Sequence, residues 1–475
     1  MSDLAYLSAV DAAAAFRDRS LSPVELLEAV IDRASVTEPT INSLVWPRFD
    51  EAMAEARESE HRHVRGVPHG PLDGIPLAVK EEMSFTGRRC TQASLALKDE
   101  VADHTHPVGQ RLIDGGAIIH ARTTQPEFAC AGFTWSKAFG VTRNPWNTGF
   151  DVGGSSGGAG AALASGVTTL ANGSDIGGSI RIPASCCGIV GHKPTFGTWP
   201  QEPPFTLDQY SHEGPMARTV ADCALFHDAI AGVHPGDNLS LRNPQRVSDV
   251  GSDVRGWKVA LSIELDGWDV DPDVRANTHA VAQALRDAGA EVEEVSIGWS
   301  REEIITAAAI HYASIFGAYI AEVAAAHGDV MTPYALAFAE LGKSYGGHGA
   351  TLHGIDLEGR VALALGTLLE SYQLLLCPTL AIPALPAGEA GLDDPRANGF
   401  ATRALPAADH LMTIPFNICS RNPVMSIPSG FSRDGVPTGA QIVGRTFSDR
   451  DVYTAAFAIE QRMPFMDVSE RRPAL

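Results

Sequence analysis

The segment that most constrains this chain runs from Gly153 to Pro183. It reads Gly-Gly-Ser-Ser-Gly-Gly-Ala-Gly at 153–160 and Gly-Ser-Asp-Ile-Gly-Gly-Ser-Ile-Arg-Ile-Pro at 173–183. Glycine at this density admits backbone angles closed to other residues and lets main-chain N–H groups come close to a ligand. A flexible Gly/Ser linker would be polar and of low complexity, yet residues 140–198 interleave their glycines with Ile, Leu and Val. The segment is therefore read as ordered backbone. A serine following Ile176-Gly177-Gly178 can sit beside several N–H donors, which is what an oxyanion hole requires: fixed dipoles aimed at charge developing on a tetrahedral intermediate.

Two other active readings apply to the same glycines. A phosphate-binding P-loop ends in Gly-Lys-Ser/Thr, and no lysine follows here. Gly153-Gly154-Ser155-Ser156-Gly157 fits the loose G-x-S-x-G elbow of α/β-hydrolases. That elbow needs a strand directly before it, and Asn144-Pro145-Trp146-Asn147 is turn sequence.

Around this segment, strand and helix patterns alternate, which indicates an α/β layered fold. Ser22-Pro23-Val24-Glu25 is a capping box opening a helix, and the first 60 residues read as helical. Ile75–Val79, 116–120, Lys258–Leu261, Leu374–Cys377, Val424–Ile427 and Ala440–Val443 read as strands; Val292, Val295 and Ile297 have strand spacing. Helices are expected near 108–113, 216–232, 272–290, through the Ala-rich 301–350 and at 451–461, with a Pro/Ala/Gly loop at 384–410.

Composition narrows the function classes. With 475 residues, 44% apolar, the chain can bury a large core in one body. Its 36 basic and 57 acidic residues give a net charge of −21, a surface that repels phosphate backbones and anionic lipid. Seven scattered cysteines without a CxxC pair do not describe a disulfide framework. No basic, then apolar leader opens the chain and no unbroken run of 18 apolar residues occurs, so a cytoplasmic protein is expected.

The run GGSSGG followed by GSDIGGSIRIPASCCGIVGHKPT resembles the signature of the amidase signature family. Gly74-Ile75-Pro76-Leu77-Ala78-Val79-Lys80 resembles that family's catalytic-lysine strand; Thr123–Phe128, Thr142–Trp146, Gly214–Arg218 and Gly439–Gly444 match further segments in order. The likeness spans roughly 20–460 and is weakest between 235 and 410. It implies a single α/β/α layered domain over 1–475 with a central mixed β-sheet flanked by helices: N-terminal helices 1–65, a catalytic core about 66–235, and a variable substrate-side region about 300–410.

Carried over residue by residue, the resemblance implies Ser179 as nucleophile, Ser155 as the serine of a cis peptide bond, and Lys80 as base. The chemistry is coherent in itself. A serine hydroxyl attacks only once a base takes its proton, and lysine can do so only as a desolvated, neutral amine. Ser155 would pass the proton between them and later help protonate the leaving nitrogen. The N–H groups of Ile176, Gly177, Gly178 and Ser179 would hold the oxyanion, with Asp175 and Arg181 bracing the loop and Ser156 supporting the network. Cys130, Ala131 and Phe133 match positions that line the acyl side of the cleft, and the aromatics at 312–338 are assigned to core. Glu81-Glu82 depart from the aspartate common after the lysine; their charge would keep the lysine protonated unless they point away or pair with an arginine such as Arg88.

His104-Thr105-His106 and Cys186-Cys187 have no partners at metal-ligand spacing, so neither metal nor cofactor is expected. Two activities fit. One is hydrolysis of a small or medium organic amide (anilide, carbamate or oligoamide) by a free-standing enzyme, with a homodimer as its candidate assembly, that binds neither nucleic acid nor membrane. The alternative is the A subunit of a glutamyl-tRNA amidotransferase, releasing ammonia from glutamine. Such chains usually carry Gln after the arginine of their signature, where this chain has Ile182.

Overall fold

The computed structural model describes residues 4–391, 409–466 and 471–475. Its strands are β1 (Leu44–Val45), β2 (Pro76–Lys80), β3 (Ile118–Thr123), β4 (Trp135–Ser136), β5 (Gly140–Val141), β6 (Leu170–Asp175), β7 (Val190–Lys193), β8 (His212–Ala217), β9 (Lys258–Leu261), β10 (Glu291–Glu294), β11 (Leu374–Pro378), β12 (Val424–Phe431) and β13 (Pro437–Gly444). Strands β4 and β5 pair as a small hairpin, and the other eleven form one sheet in the order β1-β3-β2-β6-β8-β7-β12-β13-β11-β9-β10.

The sheet is mixed and flanked by helices. Strand β2 runs parallel to β3 and β6, and β9 parallel to β10 and β11. Between these two parallel regions, β6-β8-β7-β12-β13-β11 alternate antiparallel. Every residue of β2 and of β11 is buried, the pattern of strands covered on both faces and the reason their apolar runs are unbroken.

Helices Ala9–Asp18, Pro23–Ile41 and Phe49–Arg65 form the N-terminal layer. Ser22 and Glu25 close the capping box in both directions with Pro23 in the first turn, and Leu26, Leu27 and Val30 are buried.

Several boundaries differ from the sequence reading. Met216 lies in strand β8, which runs to Ala217, and the helix begins only at Val220, because Thr219 caps it through the Asp222 N–H. Strand β10 stops at Glu294; the Val295 N–H still donates to the Leu261 carbonyl of β9 at 2.9 Å, and Ile297 lies beyond the strand. The helical stretch Arg301–His327 is long and apolar enough by length and composition to cross a membrane, and more than half of its most apolar window is buried in the fold. A criterion of unbroken apolar sequence passes over it because Thr306, His311 and Ser314 interrupt the run. Of the 384–410 loop, residues 392–408 lie outside those described.

Candidate active site

Strand β2 delivers Lys80 to the centre of the sheet, and neighbouring β6 meets it with one face. Asn172 and Ser174, two apart on β6, both contact the lysine, as the two-residue period of a strand dictates. Asn172 Oδ1 accepts from the Lys80 main-chain N–H at 3.0 Å. Lys80 Nζ, fully buried, lies 2.6 Å from Ser155 Oγ, 2.8 Å from Ser174 Oγ and 3.0 Å from Glu82 Oε1.

Ser155 comes from the glycine loop, and the Gly154–Ser155 peptide bond is cis. Gly154 is required there by sheer approach: a Cβ would stand 2.4 Å from the Phe133 carbonyl oxygen and 2.7 Å from that of Ala131. The Ser156 N–H donates to the Ser179 carbonyl at 3.1 Å, lacing this loop to the one carrying Ser179. Ser156 Oγ donates to the Ser174 carbonyl at 3.3 Å. No strand leads into Gly153, which removes the hydrolase-elbow reading; the helix Gly157–Ser165 follows it.

The two glutamates after Lys80 separate. Glu81 turns away: its carboxylate takes the Thr91 and Ala93 N–H groups and the Gln125 amide. Burial pushes its carboxyl up against these bonds and the facing Arg122 charge. Glu82 does the opposite of what a pairing with Arg88 would require. It binds Lys80 directly and accepts from Ser174 Oγ, while Arg88 pairs with Glu51 at the surface. Glu213, opposite Ser174 in the β6–β8 register, accepts from Asn172 Nδ2 at 3.1 Å. Its carboxyl is pushed up to about 8, first by burial and next by Glu82.

Beyond β6 the chain passes through Ile176-Gly177-Gly178 to Ser179 and into the short helix Arg181–Cys187. Asp175 and Arg181, both fully buried, set this loop. Asp175 receives Arg181 Nε and Nη2 (2.9 Å each), Asn417 Nδ2 (2.8 Å) and the Gly178 N–H (2.8 Å). Burial is the largest single influence and opposes its ionisation, but the Arg181 charge together with the hydrogen bonds from Arg181 and Asn417 outweighs it and holds the carboxyl well below the usual range. Arg181 is completed by the Thr413 carbonyl, Gln441 Oε1 and Asn417 Oδ1. Because Asp175 takes the Gly178 N–H, that group leaves the expected oxyanion set; among the described residues no acceptor takes the N–H groups of Ile176, Gly177 or Ser179. Gly178 has φ +123°, and a Cβ would stand 2.1 Å from Thr413 Oγ1.

Ser179 opens onto a slot of about 60 Å³ lined by Cys130, Ala131, Ile176, Ile182, Tyr312 and Phe316, with Phe338, Leu411 and Ile414 further round. Two expectations change here. Phe133 is outside the slot, buried in edge contact with Tyr334 and stacked beside Trp135. The 312–338 aromatics divide: Tyr334 is core, whereas Tyr312, Phe316 and Phe338 face the slot, with the Tyr312 hydroxyl donating to the Ile176 carbonyl at 2.8 Å. His104 and His106 are apart in role, His104 bonded to Asp103 and Glu202 at the surface and His106 buried with its Nδ1 accepting the Val108 N–H.

A family model described as Amidase matches residues 25–453. The chain belongs to the amidase signature family. It is a hydrolase acting on amides. A Rhodococcus erythropolis acylamidase is 32% identical, over 99% of this chain and 98% of its own. The A subunit of the glutamyl-tRNA(Gln) amidotransferase of Acidothermus cellulolyticus is 35% identical, over 97% and 95%. A bacterial aryl acylamidase structure of the amidase signature family superposes with a TM-score of 0.90 at 28% identity, over 97% of each chain.

Sequence reasoning missed Ser174, Glu213, Asn417 and Gln441; it raised the charge of Glu82 beside the lysine but offered Arg88 as its partner, where Arg88 pairs with Glu51. Ser174 was within reach, since it shares a strand face with Asn172 next to Asp175. Asn417 and Gln441 arrive from segments more than 230 residues beyond Asp175, and no local pattern marks them.

Proposed function

We propose that this amidase cleaves amides of apolar acyl groups through an acyl ester on Ser179. Supporting contacts are those of Lys80 with Ser155 and the tie between the Ser155 and Ser179 loops. Ser179 Oγ attacks the carbonyl carbon as its proton moves to Ser155 Oγ, whose own proton passes to Lys80 Nζ. The N–H groups of Ile176, Gly177 and Ser179 take the oxyanion. When the C–N bond breaks, Ser155 returns a proton to the nitrogen and is replenished by Lys80. Water then hydrolyses the ester by the same relay.

The observation that carries the substrate class is the lining of the slot: among the described residues that line it, none carries a charged side chain. Glutamine would bring an α-ammonium and an α-carboxylate, and burying either without a partner is costly. Both relatives named above fit this chain's sequence, so the slot chemistry is what favours an acylamidase over an amidotransferase. Ile182, at the position where the amidotransferase chains usually have glutamine, supplies part of the apolar wall. One continuous sheet supports a single domain, and seven free thiols accord with the cytoplasm.

A panel of aliphatic amides, anilides, carbamates, esters and glutamine tests this. Turnover of anilides and apolar acyl amides is expected, lost in Ser179→Ala with the fold retained. Ammonia release from glutamine as the preferred reaction contradicts the proposal.

A further inference from the structure

A neutral amine offers two N–H donors and one lone pair, and a general base must aim the lone pair at the proton it takes. Lys80 Nζ has three neighbours: Ser155 Oγ at 2.6 Å, Ser174 Oγ at 2.8 Å and Glu82 Oε1 at 3.0 Å. With Ser174 and Glu82 accepting its two N–H groups, the lone pair is left facing Ser155. The Ser174 hydroxyl spends its own proton on Glu82, which fixes it as an acceptor toward the lysine. Glu82 is thus one neighbour of the amine and orders another, Ser174.

We propose that Glu82 is a positioning residue for the base: its carboxylate turns the Lys80 lone pair toward Ser155 and sets the acid limb of the pH–rate profile. This rests on the reading of Lys80 as base given above. The observation behind it is geometric: the Glu82 carboxylate lies 3.0 Å from Lys80 Nζ, and an opposite charge at such a distance favours the charged form of an amine.

The groups facing Glu82 are few. Glu213 approaches from β8, clamped by Asn172, and burial pushes its carboxyl up to about 8, which favours its neutral form. Glu202 lies next, held by His104 Nε2 at 2.8 Å, its carboxyl raised by burial and its ionisation aided by that histidine. Cys90 donates its thiol to the Glu82 carbonyl, and burial pushes that thiol up to about 12, leaving it uncharged. Arg122 faces Glu81 instead.

The test compares kcat/KM against pH for wild type and two variants on an anilide. Glu82→Gln keeps an acceptor but removes the charge, so the acid limb moves to lower pH by about one unit, roughly a tenfold gain on that limb. Glu82→Leu removes the acceptor too, and plateau kcat falls by about tenfold or more, the range of general-base effects. Glu82→Asp, which retains the carboxylate, keeps the acid limb near wild type and serves if the other variants do not fold. An acid limb unmoved in Glu82→Gln, or moved equally in Glu82→Asp, overturns the proposal. Turnover retained in Lys80→Ala would instead overturn the base reading on which it rests, so the two failures are separable.

Discussion

At the scale of single residues, the site depends on a buried ion pair as much as on its serines. Asp175 and Arg181 are fully buried and satisfy each other with Asn417, Gln441 and Thr413. A buried pair of this kind is weak evidence for net stability, yet removing one partner strands the other charge. Arg181→Ala is therefore expected to lose about 3–5 kcal/mol in urea denaturation, a large part of a typical total of about 5–15 kcal/mol. A loss under about 1 kcal/mol would show that Asp175 finds another partner or takes a proton. Gly154→Ala is expected to abolish activity by pushing the Ser155 loop off the Phe133 and Ala131 carbonyls, read as lost turnover with a lowered melting temperature. Normal turnover in that variant would contradict the geometry drawn for Ser155.

At the scale of elements, the loop that carries Ser179 is held from both sides. Tyr312, ending the helix Arg301–Tyr312, donates to the Ile176 carbonyl, and Thr413 donates to that of Gly177 at 2.6 Å. With their carbonyls pinned, the intervening N–H groups keep their direction. Tyr312→Phe is expected to cost about 1 kcal/mol of stability, while kcat falls more than KM rises, since the lost bond orients the N–H groups proposed to take the oxyanion. A rise in KM alone would make Tyr312 only a wall of the slot. These elements also mark where the sequence was legible. Strand β2, an unbroken apolar run behind Asp73-Gly74, and the glycine loops are local patterns, and it was their likeness to the family's signature that named Lys80, Ser155 and Ser179. Tyr312 could not be told from core, because an aromatic on an Ala-rich helix gives the same pattern facing a slot as facing a sheet. The Gly178 N–H was assigned to the oxyanion because sequence reveals donors but not that Asp175, three residues earlier, turns back to take one.

At the scale of the whole molecule, buried titratable groups shape stability against pH. His106, His120 and His212 are held neutral with values near 3, all mainly by burial, and burial lowers His192 and His227 as well. Their unfolded counterparts take up protons near 6.5, so this contribution is present above that pH and is lost as pH falls toward 3. Asp151 and Glu213 are shifted the other way, each to about 8 and each first by burial. Their contribution is full below the unfolded carboxyl range and is gone once pH passes about 8. The two trends cross near neutrality. Melting temperature is expected to peak near pH 7 and fall on both sides, with Glu213→Gln making the decline between pH 7 and 8 shallower. A melting temperature that rises steadily from pH 6 to 9 would contradict the burial of these acids. Four of these groups sit on strands of the mixed sheet: His120 on β3, His192 on β7, and His212 and Glu213 on β8.

The central claim, that the acyl group is carried by Ser179, has a direct measurement. The protein is incubated with an activated apolar acyl ester or a fluorophosphonate, quenched, digested and mapped by mass spectrometry. A single adduct on Ser179, absent in Ser179→Ala and slowed in Lys80→Ala, is the expected result; an adduct on Ser155 or Ser156, or labelling of Ser179 that is indifferent to Lys80, would contradict it.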